Sequence, residues 1–113
     1  MLSNDQLTAL VEEICLHARQ CFGQTLHSVI LYGSYARGDA DAESDVDVMI
    51  LVNLPKEELE THRYDWNVFG TELDLQYGVL TSLKLQDTES FYHWMDAVPF
   101  YRNVAREGVR FVA

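Results

Sequence analysis

The sequence predicts a small α/β or α+β layer fold, in which strands alternate along the chain with segments of helical period. Three observations carry this. The first twenty or so residues form an amphipathic stretch behind a capping signal; two runs, Leu26 to Tyr32 and Asp45 to Val52, are apolar enough to be buried strands; and further helical segments lie between and after them.

Ser3 followed by Gln6 has the spacing of a capping box, and Leu7, Leu10, Val11, Ile14 and the Leu16 to Ala18 run continue at near-helical period until Gly23 stops the helix after Phe22. Leu26 to Tyr32 (LHSVILY) ends almost wholly apolar, as a strand covered on both faces would, and Gly33 breaks it. Ser34 to Ser44 (SYARGDADAES) is polar and loop-like, with a short helical turn expected near its start. Asp45 to Val52 (DVDVMILV) alternates and then becomes apolar, the pattern of a strand entering a core. Pro55 is placed to open a helix running from Lys56 to about Asn67. After Gly70 a third strand is expected over Thr71 to Val79, extending toward Leu85. Thr88 is expected to cap a short helix, Pro99 to open another, and Val109 to Val112 to end the chain as an edge strand.

With 113 residues, 48% of them hydrophobic and 23% charged, the chain has material for one ordered domain spanning residues 1–113. Eighteen acidic residues against eight basic ones give a formal charge of −10. Such a surface repels a phosphate backbone, so long nucleic acid is an unfavourable substrate, whereas a basic protein partner would suit it. A nucleotide carried with magnesium remains compatible, because the metal supplies positive charge locally. No apolar run approaches the roughly 20 residues that span a bilayer, and the N-terminus lacks a basic segment followed by an apolar one, so no membrane span and a cytoplasmic location are expected. Cys15 and Cys21 point to different faces of the first helix and are expected as two buried, reduced thiols. The four histidines show no paired spacing of a zinc motif. The aromatic group Phe91, Tyr92, Trp94, Phe100 and Tyr101 is expected to pack helices onto the core.

Chemistry concentrates between Leu31 and Val52. Period two along a strand puts Asp45 and Asp47 side by side on one face, where two carboxylates repel unless a cation lies between them. Hard oxygen ligands of this kind suit magnesium together with substrate phosphates. The Gly33–Ser34 turn offers backbone N–H groups, a close approach at glycine and a hydroxyl donor. A metal and a polyphosphate can therefore meet between two adjacent strand ends.

Gly33–Ser34, ten intervening residues and then Asp45-x-Asp47 has the spacing of the nucleotidyltransferase superfamily that includes DNA polymerase beta. The fuller string, from Gly33 to Val48, resembles the minimal nucleotidyltransferases of bacteria and archaea, with Gly33, Ser34, Ala36, Arg37, Gly38, Ser44, Asp45 and Asp47 at that family's motif positions. The resemblance implies the nucleotidyltransferase fold, a small mixed sheet packed with helices. It also implies nucleotide contacts from Gly33, Ser34, Arg37 and Ser44, and a magnesium site, with two ions possible, on Asp45, Asp47 and a third carboxylate from a neighbouring strand. With Thr71 to Val79 taken as that strand, Asp74 is the candidate and Glu72, on the same face, its rival. Arg37 is open to two roles: meeting triphosphate oxygens, or pinning the acidic loop through Asp39 or Asp41.

The implied reaction is magnesium-dependent transfer of a nucleoside monophosphate, AMP from ATP in the leading case, to a hydroxyl acceptor. Many relatives of this type are antitoxins paired with an HEPN-domain toxin, so the resemblance points to such a partner, or to a second copy of the chain, to complete the site. Two alternatives are a non-catalytic binding module of the same fold and a transferase acting on a small hydroxylated molecule.

Overall fold

The computed structural model describes residues 1–112. Helix α1 (Asn4–Phe22) begins at the Ser3–Gln6 capping box, with reciprocal hydrogen bonds of 2.9 and 3.1 Å, and ends at Gly23. A 3-10 turn (Gly23–Thr25) leads into strand β1 (Leu26–Tyr32), a short helix α2 (Ser34–Arg37), and strand β2 (Val46–Val52). Then come α3 (Lys56–Glu60), α4 (Arg63–Tyr77), β3 (Thr81–Asp87), α5 (Thr88–Trp94), α6 (Pro99–Glu107) and β4 (Val109–Val112).

The four strands form one mixed sheet in the order β3-β2-β1-β4, with β1 antiparallel to both of its neighbours and β2 parallel to β3. Alternation assigns the two faces. Val46, Val48, Ile50 and Val52 of β2, with Val29 and Leu31 of β1, meet α1 and α4 through Leu10, Ile14, Ala18, Trp66 and Leu73. Ile30, Tyr32, Met49 and Leu51 face the other way, onto Phe91 of α5 and Val104 of α6. Asp47, paired with Tyr32, belongs to this second face.

The first strand, the long first helix and the terminal strand lie where the sequence places them, and so does the helix that Pro99 opens; the second strand begins at Val46 instead of Asp45, which precedes it. The middle of the chain differs. The helix expected from Lys56 to Asn67 is broken at Thr61–His62, where the Thr61 hydroxyl bonds back to Glu58 O at 2.6 Å, and a new helix starts at Arg63.

The third strand is not Thr71 to Val79. Thr71 to Tyr77 is the C-terminal half of α4, and the strand is Thr81–Asp87. The TELDLQY stretch does alternate, but Trp66, Gly70 and Leu73 recur at helical spacing and all three are buried, while Leu75 is left 82% exposed. Gly70 is no breaker: it lies inside the helix where α4 crosses β3, and a β-carbon there would come within 3.3 Å of Thr81 Oγ1. Gly78, left-handed at φ 68°, ends the helix instead.

Smaller differences follow. Asp87, not Thr88, caps α5, its carboxylate accepting from Ser90 N at 2.9 Å. Cys15 is buried, but Cys21 is exposed and contacts His62 Nδ1 at 3.4 Å. In the aromatic group Phe91 is core, whereas Tyr92, Trp94 and Phe100 are 40–50% exposed. Among the described residues no helix is long and apolar enough to cross a membrane.

Candidate active site

The site forms where β1 ends beside the start of β2. Tyr32 pairs with Asp47 across the antiparallel ladder, and Gly33 then turns the chain away into α2. Gly33 adopts φ 75° and ψ −158°, a region open essentially to glycine alone. The Asp47 carboxylate packs directly against it: a β-carbon at Gly33 would collide with Asp47 Oδ2 and lie 3.3 Å from its Cγ. Glycine here brings a carboxylate and a backbone turn into contact, and the half-buried Ser34 starts α2 beside them.

Asp45 is exposed just before β2, and Asp47 is half-buried on the strand. Burial, and then the charge of Asp45, push the Asp47 carboxyl above the ordinary aspartate range, against weaker pulls from Lys84 and Arg37. A cation between two carboxylates that repel in this way would relieve the repulsion. The arrangement fits one hard divalent ion such as magnesium.

Ser44 and Asp41 fix the approach to this pair. Asp41 N donates to Ser44 Oγ at 2.9 Å, the Ser44 hydroxyl donates to Asp41 Oδ1 at 3.2 Å, and Glu43 N donates to the same oxygen at 2.9 Å. The Ser44 hydroxyl is thus engaged in shaping the loop that delivers Asp45. Arg37 takes the loop-pinning role in this conformation, pairing with Asp39 at 3.3 Å, and also reaches Glu107 of α6 at 3.5 Å. Glu107, seventy residues further along, is a partner that no local pattern announces. All three groups are exposed, so the pairs are weak and open to exchange with a ligand.

Asp74 does not join Asp45 and Asp47. It lies on α4, where its carboxylate accepts from Thr81 N at 2.7 Å and from Thr81 Oγ1 at 2.8 Å, tying the helix to the start of β3. Thr81 pairs with Val46, which faces α1 and α4, so Asp74 belongs to the side of the sheet opposite Asp47. Glu72 is likewise on α4 and exposed. The expected three-carboxylate site is therefore corrected: among the described residues no group of three or more His, Cys, Asp or Glu side chains is placed to hold a metal.

Three residues absent from the sequence reasoning join the site's face. Tyr32 is buried, and its hydroxyl has no hydrogen-bond partner. Desolvation, and then the charge of Asp47, push its pKa far up, so it is a neutral donor. It lines a cleft of about 210 Å³ with Gly33, Arg37, Phe100 and Asn103. Lys84 of β3 has its Nζ 6.0 Å from the centre of the Phe100 ring. The signal for Tyr32 was its place directly before the glycine turn. For Lys84 and Asn103 there was none without the correct third strand and the packing of α6.

Comparison with known proteins identifies the family. Residues 13–108 match the profile of the nucleotidyltransferase domain family. Two proteins of Methanocaldococcus jannaschii, both provisionally named protein adenylyltransferases, are similar in sequence. One is 34% identical over 87 residues, covering 74% of this chain and 75% of that protein. The other is 40% identical over 63 residues, covering 55% of this chain but only 43% of that protein, so the chain spans less than half the length of that relative. In structure the chain is similar to a toxin–antitoxin crystallised with AMP-PNP, with a TM-score of 0.54 and 16% identity over 88% of this chain and 70% of that one. It is equally similar to a variant of the MntA-HpeT toxin–antitoxin, with a TM-score of 0.54 and 18% identity over the same shares. These structural likenesses agree in fold, and with the profile match over most of the length they place the chain in a family: it belongs to the nucleotidyltransferase domain family.

Proposed function

We propose that the chain is a magnesium-dependent nucleotidyltransferase that moves AMP from ATP onto a hydroxyl group of a partner protein. The observation that carries this reading is the contact between the Gly33 turn and the Asp47 carboxylate, which puts phosphate-binding backbone beside a repelling carboxylate pair. In this reading Asp45 and Asp47 hold the metal. Gly33 and Ser34 receive the β- and γ-phosphates. Arg37 exchanges its surface ion pairs for triphosphate oxygens, and Ser44 keeps Asp45 in place. Magnesium, when bound, neutralises charge on the triphosphate as the α-phosphorus is attacked.

The acceptor oxygen forms a bond to the α-phosphorus, the bond to the bridging oxygen breaks, and pyrophosphate leaves with the electron pair while the acceptor proton passes to solvent. The chain contributes positioning and electrostatics. The protein adenylyltransferase names of the relatives support a protein acceptor, and the toxin–antitoxin neighbours, one holding a nucleotide analogue, support a toxin partner. An HEPN-domain protein in the cytoplasm is the partner this reading names, and the −10 charge suits a basic surface on it.

A second reading, a module that binds nucleotide or partner without transfer, is favoured by one observation: among the described residues no third carboxylate reaches the pair. Calorimetric titration with ATP, with and without magnesium, tests what the readings share. Binding that needs magnesium and disappears in Asp45→Asn/Asp47→Asn supports the site; equal binding in the variant sinks it. Transfer of α-labelled AMP to a co-purified partner then separates enzyme from module.

A further inference from the structure

The strand beside β2 is β3, and their parallel register sets Asp47 opposite Ser82, Met49 opposite Lys84 and Leu51 opposite Gln86. Paired residues share a face, so β3 shows Ser82, Lys84 and Gln86 on the side of Asp47. None is acidic. The one carboxylate of β3, Asp87, lies five residues beyond Ser82, roughly 17 Å along the strand at 3.3 Å per residue. It faces the other way, opposite Val52, and is occupied in capping α5. The neighbouring strand thus brings a cation where the family resemblance leads one to expect an anion.

Lys84 is exposed, within Coulombic reach of Asp47, and its Nζ lies 6.0 Å from the ring of Phe100, on the lip of the cleft shared with Tyr32 and Gly33. The ion pairs among the described residues use Arg37 and Arg63, so the Lys84 ammonium has no carboxylate within 4.0 Å. It is a positive charge within reach of Asp47 in a chain with eighteen acidic residues.

Resting on the nucleotidyltransferase reading above, we propose that this site takes one divalent ion, on Asp45 and Asp47, and that Lys84 stands in for a second by contacting the triphosphate directly. Lysine is suited to this as a compact point charge on a flexible stem. It neutralises phosphate charge without needing carboxylate ligands of its own, which the face of β3 does not offer. Lys84 is then a nucleotide-positioning residue, and among the described residues no third carboxylate joins the pair to accept the acceptor's proton.

The test counts metal as well as affinity. Mn²⁺ is titrated into protein with a non-hydrolysable ATP analogue, bound Mn²⁺ is followed by electron paramagnetic resonance, and nucleotide affinity by calorimetry, for wild type, Lys84→Ala and Lys84→Asp. The expected result is one Mn²⁺ per bound nucleotide in wild type. Lys84→Ala should bind the analogue about tenfold or more weakly at the same metal count, the scale of a lost charged hydrogen bond. Lys84→Asp, which completes a carboxylate triad, should raise the count to two. Lys84 is exposed, so neither substitution disturbs the core, and matched melting curves check this. Two Mn²⁺ per nucleotide in wild type, or unchanged affinity in Lys84→Ala, overturns this inference alone. No nucleotide binding by wild type at any metal concentration overturns the nucleotidyltransferase reading and this inference with it.

Discussion

Replacing Gly33 by alanine tests the contact on which the site is built. Two penalties apply. A non-glycine residue at φ 75°, ψ −158° costs about 1–3 kcal/mol of backbone strain. The new β-carbon also meets Asp47, whose Oδ2, Cγ and Cβ all crowd the position, and turning that side chain off its rotamer costs about 0.5–1.5 kcal/mol. Alanine reduces the freedom of the unfolded chain, which returns roughly 0.4–1 kcal/mol. The net loss is therefore about 2 kcal/mol, the middle of a range of about 0.5–4. Gly38→Ala is the internal control. Gly38 is left-handed at φ 84°, ψ 15° with nothing within 4 Å of an added β-carbon, so only the smaller left-handed cost remains, about 1 kcal/mol before the same offset. Urea denaturation of both variants measures the difference. A double-mutant cycle with Asp47→Ala should recover the collision share, about 1 kcal/mol, and leave the strain. Gly33→Ala unfolding at the same midpoint as Gly38→Ala, or showing no coupling to Asp47, would refute the reasoning.

Two further outcomes follow from the same geometry. Asp47 has its carboxyl raised above the ordinary range by burial and by Asp45, so its ionised form is disfavoured by folding. Its stability contribution is present below the ordinary aspartate range and is lost as pH rises through and above it. Asp47→Asn should then melt about 2 °C higher than wild type at pH 7 without metal, after discounting for solvent screening, and the gain should vanish near pH 3; a lower melting temperature at pH 7 would contradict the repulsion argument. Asp74→Asn should lose about 1–2 kcal/mol through its bonds to Thr81 N and Oγ1 while leaving metal-dependent ATP binding intact, and loss of that binding at unchanged stability would return Asp74 to the metal site.

Legibility in the sequence followed how local the determining physics is. Helix α1 was readable because the cap at Ser3, the apolar period and the stop at Gly23 all lie within its own length. Strands β1 and β2 were readable because central strands are apolar on both faces, although β2 begins at Val46 and leaves Asp45 just before it. The third strand failed for the converse reason. Thr71 to Tyr77 and Thr81 to Asp87 both alternate, and what separates them is tertiary: Leu73 buried under the sheet and Gly70 allowing α4 to cross β3 closely. Taking the wrong window made Asp74 a candidate for the site and hid that Lys84 lies on the sheet face of Asp47. The Arg37–Glu107 pair and the cleft under α6 join residues about seventy positions apart, and no local pattern encodes them.

The position of β2 between β3 and β1 gives the site an uneven mechanical character. Its amides are hydrogen-bonded within the sheet on both sides and its side chains are covered on both faces, so the Val46–Val52 segment should be among the last to exchange its amide hydrogens. The Asp47 carboxylate is thereby carried by the segment that opens only when the whole domain does, while Asp45 sits just ahead of it at the end of the loop. The turn, Arg37 and the Asp39–Ser44 loop are exposed or half-buried and held by surface pairs, and belong to the part that opens locally. A ligand arriving here meets a rigid anvil and a compliant clasp, and most of the ordering that binding requires falls on the clasp.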